Sequence, residues 1–403
     1  MNRQPLSAIA APRGLVGGPF GSSLVNADYT LEGVPVIRGA NMSAGRFIGG
    51  EFVFVSPEKF TRDLSRNHAV PQDIIYTQRG TLGQVALVPR GVQETFVVSQ
   101  SQMRLRVDPN RAVPEFVYYA STTADFLRQI EDRAISTGVP HTNLGILAEL
   151  TIPLPPLAEQ QAIAEVLGAL DDKIAANASL ASTADELSLG QFQSFLRDGE
   201  LAERATADVA TVVLGGTPSK AISGYWTNGT VPWLNSGELN ATRVLEPSAL
   251  ITEEALSKSA AKMMPPGATL IAITGATLGQ IARLEIAASG NQSIVGVWSE
   301  DPIMSVWLYF ALRARRDQLL TRATGAAQQH VSKADVAQLQ IPVPSRETLW
   351  TFGQYAIPLL NLATNAERES IALAATRDAL LPHLMSDKLR VRDAESAASA
   401  AGL

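Results

Sequence analysis

The tetrapeptide Thr-Leu-Gly-Gln occurs at 81–84 and again at 277–280, each time followed by a β-branched residue and alanine. It marks an internal repeat, and a repeat constrains a fold more than composition does. "DIIYTQRGTLGQVA" (73–86) is answered by "ATLIAITGATLGQIA" (268–282), and "VSQSQ" (98–102) by "GNQSI" (290–294). "PHTNLGILAELTIPLPP" (140–156) is answered by "QHVSKADVAQLQIPVPS" (329–345). His141 pairs with His330 and Pro153 with Pro342, both at an offset of 189. The 403 residues are one unit written twice.

Each copy opens with roughly 150 residues, an ordinary domain size. β-branched runs at Val34–Ile37, Ile74–Tyr76, Val85–Val88 and Val97–Val98, with partners in the second half, predict strands. Glycines between them predict hairpin turns. Helices are expected near 114–134 and 302–323, each with proline in its first turn. Each copy closes on a strand-proline element, "IPLPP" or "IPVPS", that launches a long helix with no glycine between. Proline is tolerated there because a first-turn N–H has no helical partner.

The first long helix is expected from about Pro156 to Arg197. Ile163, Leu167, Leu170 and Ile174 step by four, three and four, the spacing of a narrow seam. The apolar pattern slips after Ile174 and returns with Leu187, Phe192 and Phe195. The second helix holds heptad spacing through Leu349, Phe352, Ala356, Leu359, Ala363, Ala366, Ser370 and Leu373 to Leu380 and Leu384. Pro358 is expected to kink or break it. Forty helical residues measure ~60 Å, and a seam that long needs a partner. The two helices are therefore expected to pair antiparallel, which makes the two domains pseudo-twofold mates. The fold class expected is α+β. Two sheet-rich domains, 1–155 and 201–345, are separated by a pair of long antiparallel coiled-coil helices at 156–200 and 346–390, with a disordered tail at 391–403.

The chain has no cysteine, which excludes disulfides and thiolate metal sites. Its four histidines are far apart in sequence, so no metal site is expected. No apolar run is long enough for a bilayer span, and "MNRQPLSAIAAPRG" lacks a signal-peptide core. A cytoplasmic protein with no membrane partner is expected. Net charge is −6. Residues 1–155 carry 14 Lys+Arg and 13 Asp+Glu, 156–204 carry 3 and 9, 205–345 carry 10 and 10, and 346–403 carry 6 and 7. The negative excess thus sits on the first long helix, and the near-neutral domains remain free to bind DNA on a cationic face. A twofold molecule matches the symmetry of duplex DNA, and divergent domains would read two different half-sites.

The launch "IPLPPLAEQQAIAEVL" resembles the start of the central region in specificity subunits of Type I restriction–modification systems. "LGGTPSKAISGYWTNGTVPWLNSGELN" (214–240) is similar to the opening of that family's target recognition domains, as are "GGPFGSSL" with "EGVPVIRGANMSAG" in the first copy. The Gly-Thr-Leu-Gly hairpin and the terminal "LLPHLMSDKLRV" fit as well, so the resemblance covers nearly all of residues 10–392. It implies a non-catalytic subunit whose two domains each contact half of a bipartite double-stranded DNA target. It further implies that the helices act as a ruler and dock two methyltransferase subunits that bind S-adenosylmethionine. Restriction subunits using ATP and Mg would join these, and the chain itself would hold no cofactor. The second launch, "IPVPSRETLW", departs from the pattern by lacking "PPLAEQ".

No Walker A loop, amino-methyltransferase tetrapeptide or nuclease set is found; "GGTPSK" (215–220) lacks the required spacing. Arginine reads guanine, and Asn or Gln reads adenine, through paired hydrogen bonds. The candidate DNA contacts are accordingly loop residues. In the first copy they are Arg38, Asn41, Gln78, Arg79, Thr81, Gln100, Ser101 and His141. In the second they are Lys220, Asn235, Glu238, Thr274, Thr277, Asn291, Gln292 and His330. Taken singly, a satisfied loop residue is the commoner reading, and the set is what points to DNA. Ser332 with Asp335 reads as a capping box. Tyr225, Trp226 and Trp233 read as core or rim aromatics, and Arg313, Arg315, Arg316 and Arg322 as a cluster that could track phosphates. The competing reading is a protein-interaction scaffold, which would show no salt-sensitive, sequence-selective DNA binding.

Overall fold

The computed structural model describes residues 2–42, 45–135, 140–325 and 329–386. The chain forms two compact units, Met1–Ala175 with Ile371–Leu403, and Ala176–Ser370. The tail at 391–403 and the helix end expected at 387–390 lie outside the described residues.

In the first unit the framework strands are β1 (Ala10–Gly17), β2 (Val34–Ile37), β3 (Ile74–Thr77), β4 (Val85–Leu87), β5 (Phe96–Val98) and β6 (Gln102–Val107). One antiparallel sheet runs β1-β6-β3-β4. A second sheet is built around the parallel pair β2 and β5, in which Val36 faces Val97 and Ile37 faces Val98. Ile74 and Tyr76 belong to a core shared with the helices, while Ile75 joins Ile37 and Val98 in another. Alternation along β3 thus fills two cores, and a strand buried on both faces reads as a continuous apolar run. The helix expected at 114–134 is two helices, Pro114–Ser121 and Ala124–Arg133. Thr122 closes the first, and Thr123 caps the second by accepting from Phe126 N.

The second unit repeats this plan with β7 (Thr211–Leu214), β8 (Val231–Leu234), β9 (Thr269–Ala272), β10 (Ile281–Leu284), β11 (Ala288–Gly290) and β12 (Ile294–Trp298). Its first sheet runs β7-β12-β9-β10, with Arg243–Val244 added beside β10. β8 and β11 are the parallel pair of its second sheet. The helix expected at 302–323 divides into Pro302–Ala314 and Arg316–Leu320.

The strand-proline elements have a common role. Thr151–Pro153 pairs with Arg3–Pro5, and Gln340–Pro344 with Leu201–Ala205. Each domain's exit is stitched to its entry before the long helix begins. The two launches are then held differently. In the first, the buried Gln160 donates to Pro155 O (2.8 Å) and accepts from Val113 N (2.9 Å). In the second, Ser345 caps the helix by accepting from Thr348 N, and the indole of Trp307 donates to Pro342 O at 2.7 Å.

The long helices run Leu157–Asp198 and Arg346–Met385. Pro358 does not break the second helix and lies on an exposed face, where the missing N–H leaves a carbonyl free to meet water. Within the second unit the helices pair antiparallel: Asn177 meets Glu369, and Phe192 meets Phe352. The seam of the first helix does not slip. It continues through Asn177, Ala181, Ala184 and Ser188 to Phe192, all buried, whereas Leu187 is 54% exposed. Ala181 and Ala184 pack with Ala363 and Ala366, small residues that let the helices approach closely. Within the first unit, Ile163, Leu167 and Leu170 share a core with Leu373, Leu380 and Leu384.

Candidate nucleic-acid interfaces

Parallel pairing places the C-terminal ends of β2 and β5 side by side, so Arg38 and Ser99 leave the sheet together; Ser99 N donates to Ile37 O at 3.1 Å. The turn after β3 joins them, because Gln78 N donates to Ser101 O at 2.7 Å. Thr142 N donates to Gln78 O, and His141 exchanges backbone hydrogen bonds with Ile135 while bridging to Arg79. Four segments distant in sequence therefore share one edge of the domain.

The second unit builds the same frame. Asn291 N donates to Leu234 O, Ile273 N to Ser293 O and Val331 N to Ile273 O, each at 2.9 Å. His330 exchanges hydrogen bonds with Thr324 and bridges to Thr274. The frame thus makes Gln78 equivalent to Ile273, Ser101 to Ser293 and Thr142 to Val331, with different side chains on matching backbone.

The hairpin tips depend on glycine. Gly83 and Gly279 have φ of +86° and +81°, a region other residues avoid. The helix beneath each tip crowds the position as well: an added Cβ would lie 2.9 Å from a methyl of Leu127 at one tip and of Leu320 at the other, and those side chains would have to give way.

Several expected contact residues are committed to holding this frame. Asn41 is 0% exposed. Its carbonyl accepts from Arg38 N (3.0 Å) and its amide donates to Gly49 O (3.0 Å) and Glu51 O (2.9 Å). It shapes the loop and has no surface with which to read a base, which corrects the expectation for it. Asn235 accepts from Gly237 N at 2.7 Å, and Glu238 accepts from Ser248 at 2.9 Å. Asn291 accepts from Ser293 N at 2.9 Å, and Thr274 donates to the Ser293 hydroxyl at 2.6 Å. Thr277 donates to Thr274 O at 3.4 Å. Gln100 donates to Gly21 O and Leu24 O, both at 2.8 Å. Arg79, Thr81, Gln100, Lys220, Gln292 and His330 are exposed; Arg38, Gln78, Ser101 and His141 are half-buried.

The arginines expected to track phosphates are largely engaged within the domain. Arg313 donates to the Tyr309 hydroxyl, Arg315 pairs with Glu203, and Arg322 donates to Asp335 O. Arg316 donates to Gly279 O at 2.7 Å and so braces the hairpin tip. Trp233 is buried with Trp226 set edge-on to it at 5.1 Å, as core and rim aromatics. Ser332 and Asp335 form the expected capping box.

Two features were not legible as functional in the sequence. One is the glycine of each opening motif: a Cβ on Gly18 would fall 1.9 Å from Ser99 O, and one on Gly215 2.3 Å from Asn291 O. The repeated Gly-Gly at 17–18 and 215–216 was the available signal. The other is a set of ionic clamps between domain and long helices. In the first unit Arg46 pairs with Asp172, while Asp171 accepts from both Tyr119 and Arg377 at 2.6 Å. In the second, the Arg243 side chain is 1% exposed and bonds Asp185 and, at 2.7 Å, Glu367. Burial opposes the charge on Arg243, but its bond to Asp185 and the nearby carboxylates hold its pKa above the ordinary value. Burial pushes the Glu367 carboxyl up.

The Type I restriction modification DNA specificity domain matches this chain twice, over 33–183 and 200–357. The chain is 24% identical over 262 residues to the Type I restriction enzyme EcoR124I/EcoR124II specificity subunit of Escherichia coli; the match covers 61% of this chain and 63% of that one, less than two thirds of its length. It is 23% identical over 374 residues to the Type I restriction enzyme MjaIX specificity subunit of Methanocaldococcus jannaschii, covering 85% of each. Its fold is that of the Type-I restriction-modification system S subunit from M. genitalium, with a TM-score of 0.63 at 17% identity over 95% of each chain. Matched in both of its copies and over more than half its length, the chain belongs to the Type I restriction modification DNA specificity family.

Proposed function

We propose that this chain is the DNA sequence-specificity subunit of a Type I restriction–modification complex, reading an asymmetric bipartite double-stranded target. The observation that carries this reading is the pair of matched loop frames, equivalent in backbone and divergent in side chain, at 38–42, 78–84, 99–101, 135 and 141–142 and at 235–240, 273–280, 291–293, 324 and 330–331. A rigid frame with variable tips is what separate half-site readers require.

In this reading the chain is non-catalytic and works in the cytoplasm. Two methyltransferase subunits carrying S-adenosylmethionine dock on the long helices, whose length sets the unread spacer, and ATP- and Mg-dependent restriction subunits join the complex. Leu180 and Leu187 on one helix of the second unit, and Tyr355 and Leu362 on the other, are exposed apolar side chains seven residues apart, on one face of each helix, that such docking would cover.

The test is domain replacement. Residues 205–345 are exchanged for the matching domain of a relative, and the methylated motif is read by sequencing modified DNA from cells carrying the partner methyltransferase. One half of the motif should change and the other persist; a change in both halves defeats the modular reading. The purified chain alone, given S-adenosylmethionine, should transfer no methyl group to DNA.

A further inference from the structure

Phe20 is 83% exposed. Leaving a phenyl ring in water forgoes the stabilisation that burial would give it, so its setting matters. Leu31 and Val92 are also highly exposed, but they precede β2 and β5 and so lie at the ends of the parallel pair opposite Arg38 and Ser99. Phe20 lies at the interface end. Two residues before it, Gly18 N donates to Gln102 O, and Gly18 packs against Ser99 O too closely for any side chain. Just after it, Gly21 O and Leu24 O both accept from the Gln100 side chain. The main chain on either side of Phe20 is thus fastened to the 99–101 loop while the ring stays in solvent.

The second unit shows what else this position can carry. Gly215 N donates to Ile294 O as Gly18 N does to Gln102 O, so Thr217 is the counterpart of Phe20. The Thr217 hydroxyl donates to Gln292, the counterpart of Gln100. One copy presents a hydroxyl bonded to its glutamine, the other an unpartnered ring.

We infer that Phe20 is a specificity-determining residue of the first recognition domain, making an apolar contact with the bases of the first half-site. This rests on the DNA-reading function proposed above. The partner is the duplex, because the ring is built onto the loop carrying Gln100 and Ser101. Bases offer apolar surface in thymine methyls and in their ring faces, whereas phosphates offer none.

The experiment uses the full chain with its methyltransferase partner and fluorescent duplexes carrying the motif identified by sequencing modified DNA. Phe20→Ala, at an exposed position, should fold normally and bind the cognate duplex about tenfold more weakly. The dependence of affinity on salt should be unchanged, since no phosphate contact is lost. Phe20→Tyr should restore binding. On a duplex with the first half-site scrambled, wild type and Phe20→Ala should bind alike. Wild-type affinity of Phe20→Ala on the cognate duplex overturns the inference, as does an equal loss on DNA lacking the first half-site. Release of the methyltransferase subunit from Phe20→Ala in size-exclusion chromatography would make the ring a protein contact and overturn it too. A wild-type complex with no sequence preference removes the functional reading and the inference together, and is recognised before any variant is made.

Discussion

Gly18 lies so close to Ser99 that a Cβ at position 18 would fall 1.9 Å from the Ser99 carbonyl oxygen. Its counterpart Gly215 stands in the same relation to Asn291. Both contacts are to backbone, which cannot swing aside as a flexible side chain can. Each domain's opening motif is therefore a spacer of zero thickness between its entry loop and a candidate DNA-contacting loop.

Gly18→Ala should push the 99–101 loop away and destabilise the chain by about 1–3 kcal/mol, the usual cost of forcing extra atoms into a packed site. Urea unfolding measures the loss. The methylated motif should degrade in its first half only, and Gly215→Ala should affect the other half. Wild-type stability and motif in Gly18→Ala would show that the loop is not held by this contact.

Arg243 sits between Asp185 of the first long helix and Glu367 of the second. Arg243→Met leaves two partly buried carboxylates without their cation, at a cost of about 3 kcal/mol, the low end for a broken buried pair because both carboxylates keep some solvent. Adding Asp185→Asn and Glu367→Gln should recover most of that loss. If the triple variant is no more stable than Arg243→Met, packing rather than charge explains the effect.

The Asp335 carboxyl is held below its ordinary 3.8 by the Ser332 hydroxyl and then by the Ser332 N–H. A depressed carboxylate contributes stability above its unfolded pKa and loses it as pH falls through the folded one. Asp335→Ala removes the N3 half of the capping box and should therefore cost about 0.5–1 kcal/mol at neutral pH. The gap from wild type should hold down to about pH 5 and shrink below 3.8. Parallel unfolding series from pH 7 to pH 2 test this; a gap that is unchanged at the acid end contradicts the capping account.

Arg79 is exposed at the tip of the first hairpin, with its backbone bridged to His141. Arg79→Ala should relax base preference at one position of the first half-site, at about 1–3 kcal/mol for a lost bidentate contact. A phosphate contact would instead weaken binding to every sequence and lower the salt slope by about one. Binding titrations at several salt concentrations separate the two, and a reduced slope with unchanged preference would reassign Arg79 to the backbone.

The duplication, the positions of the framework strands and the two helix launches can all be read from the linear chain. Identity at a fixed offset and β-branched runs are local properties, and each survives folding unchanged. The linear chain also groups Gln78 with Thr274's neighbourhood, Ser101 with Ser293 and His141 with His330, because the repeat carries equivalence even where roles are unknown. Which polar groups the frame consumes depends on how the strands and loops pack. Asn41 looks like an adenine reader in sequence and is a buried loop brace, since exposure depends on strands that lie elsewhere in the chain. Packing also decides the helix seam. Asn177, Ala181, Ala184 and Ser188 break an apolar pattern, yet they are the buried face, because Asn177 finds Glu369 and the alanines find Ala363 and Ala366 on the partner helix. Leu187, the residue an apolar count selects, is left in solvent. Hydrophobicity is a property of one residue, but burial is a property of the pair that meets, and the second member of each pair lies nearly two hundred residues away.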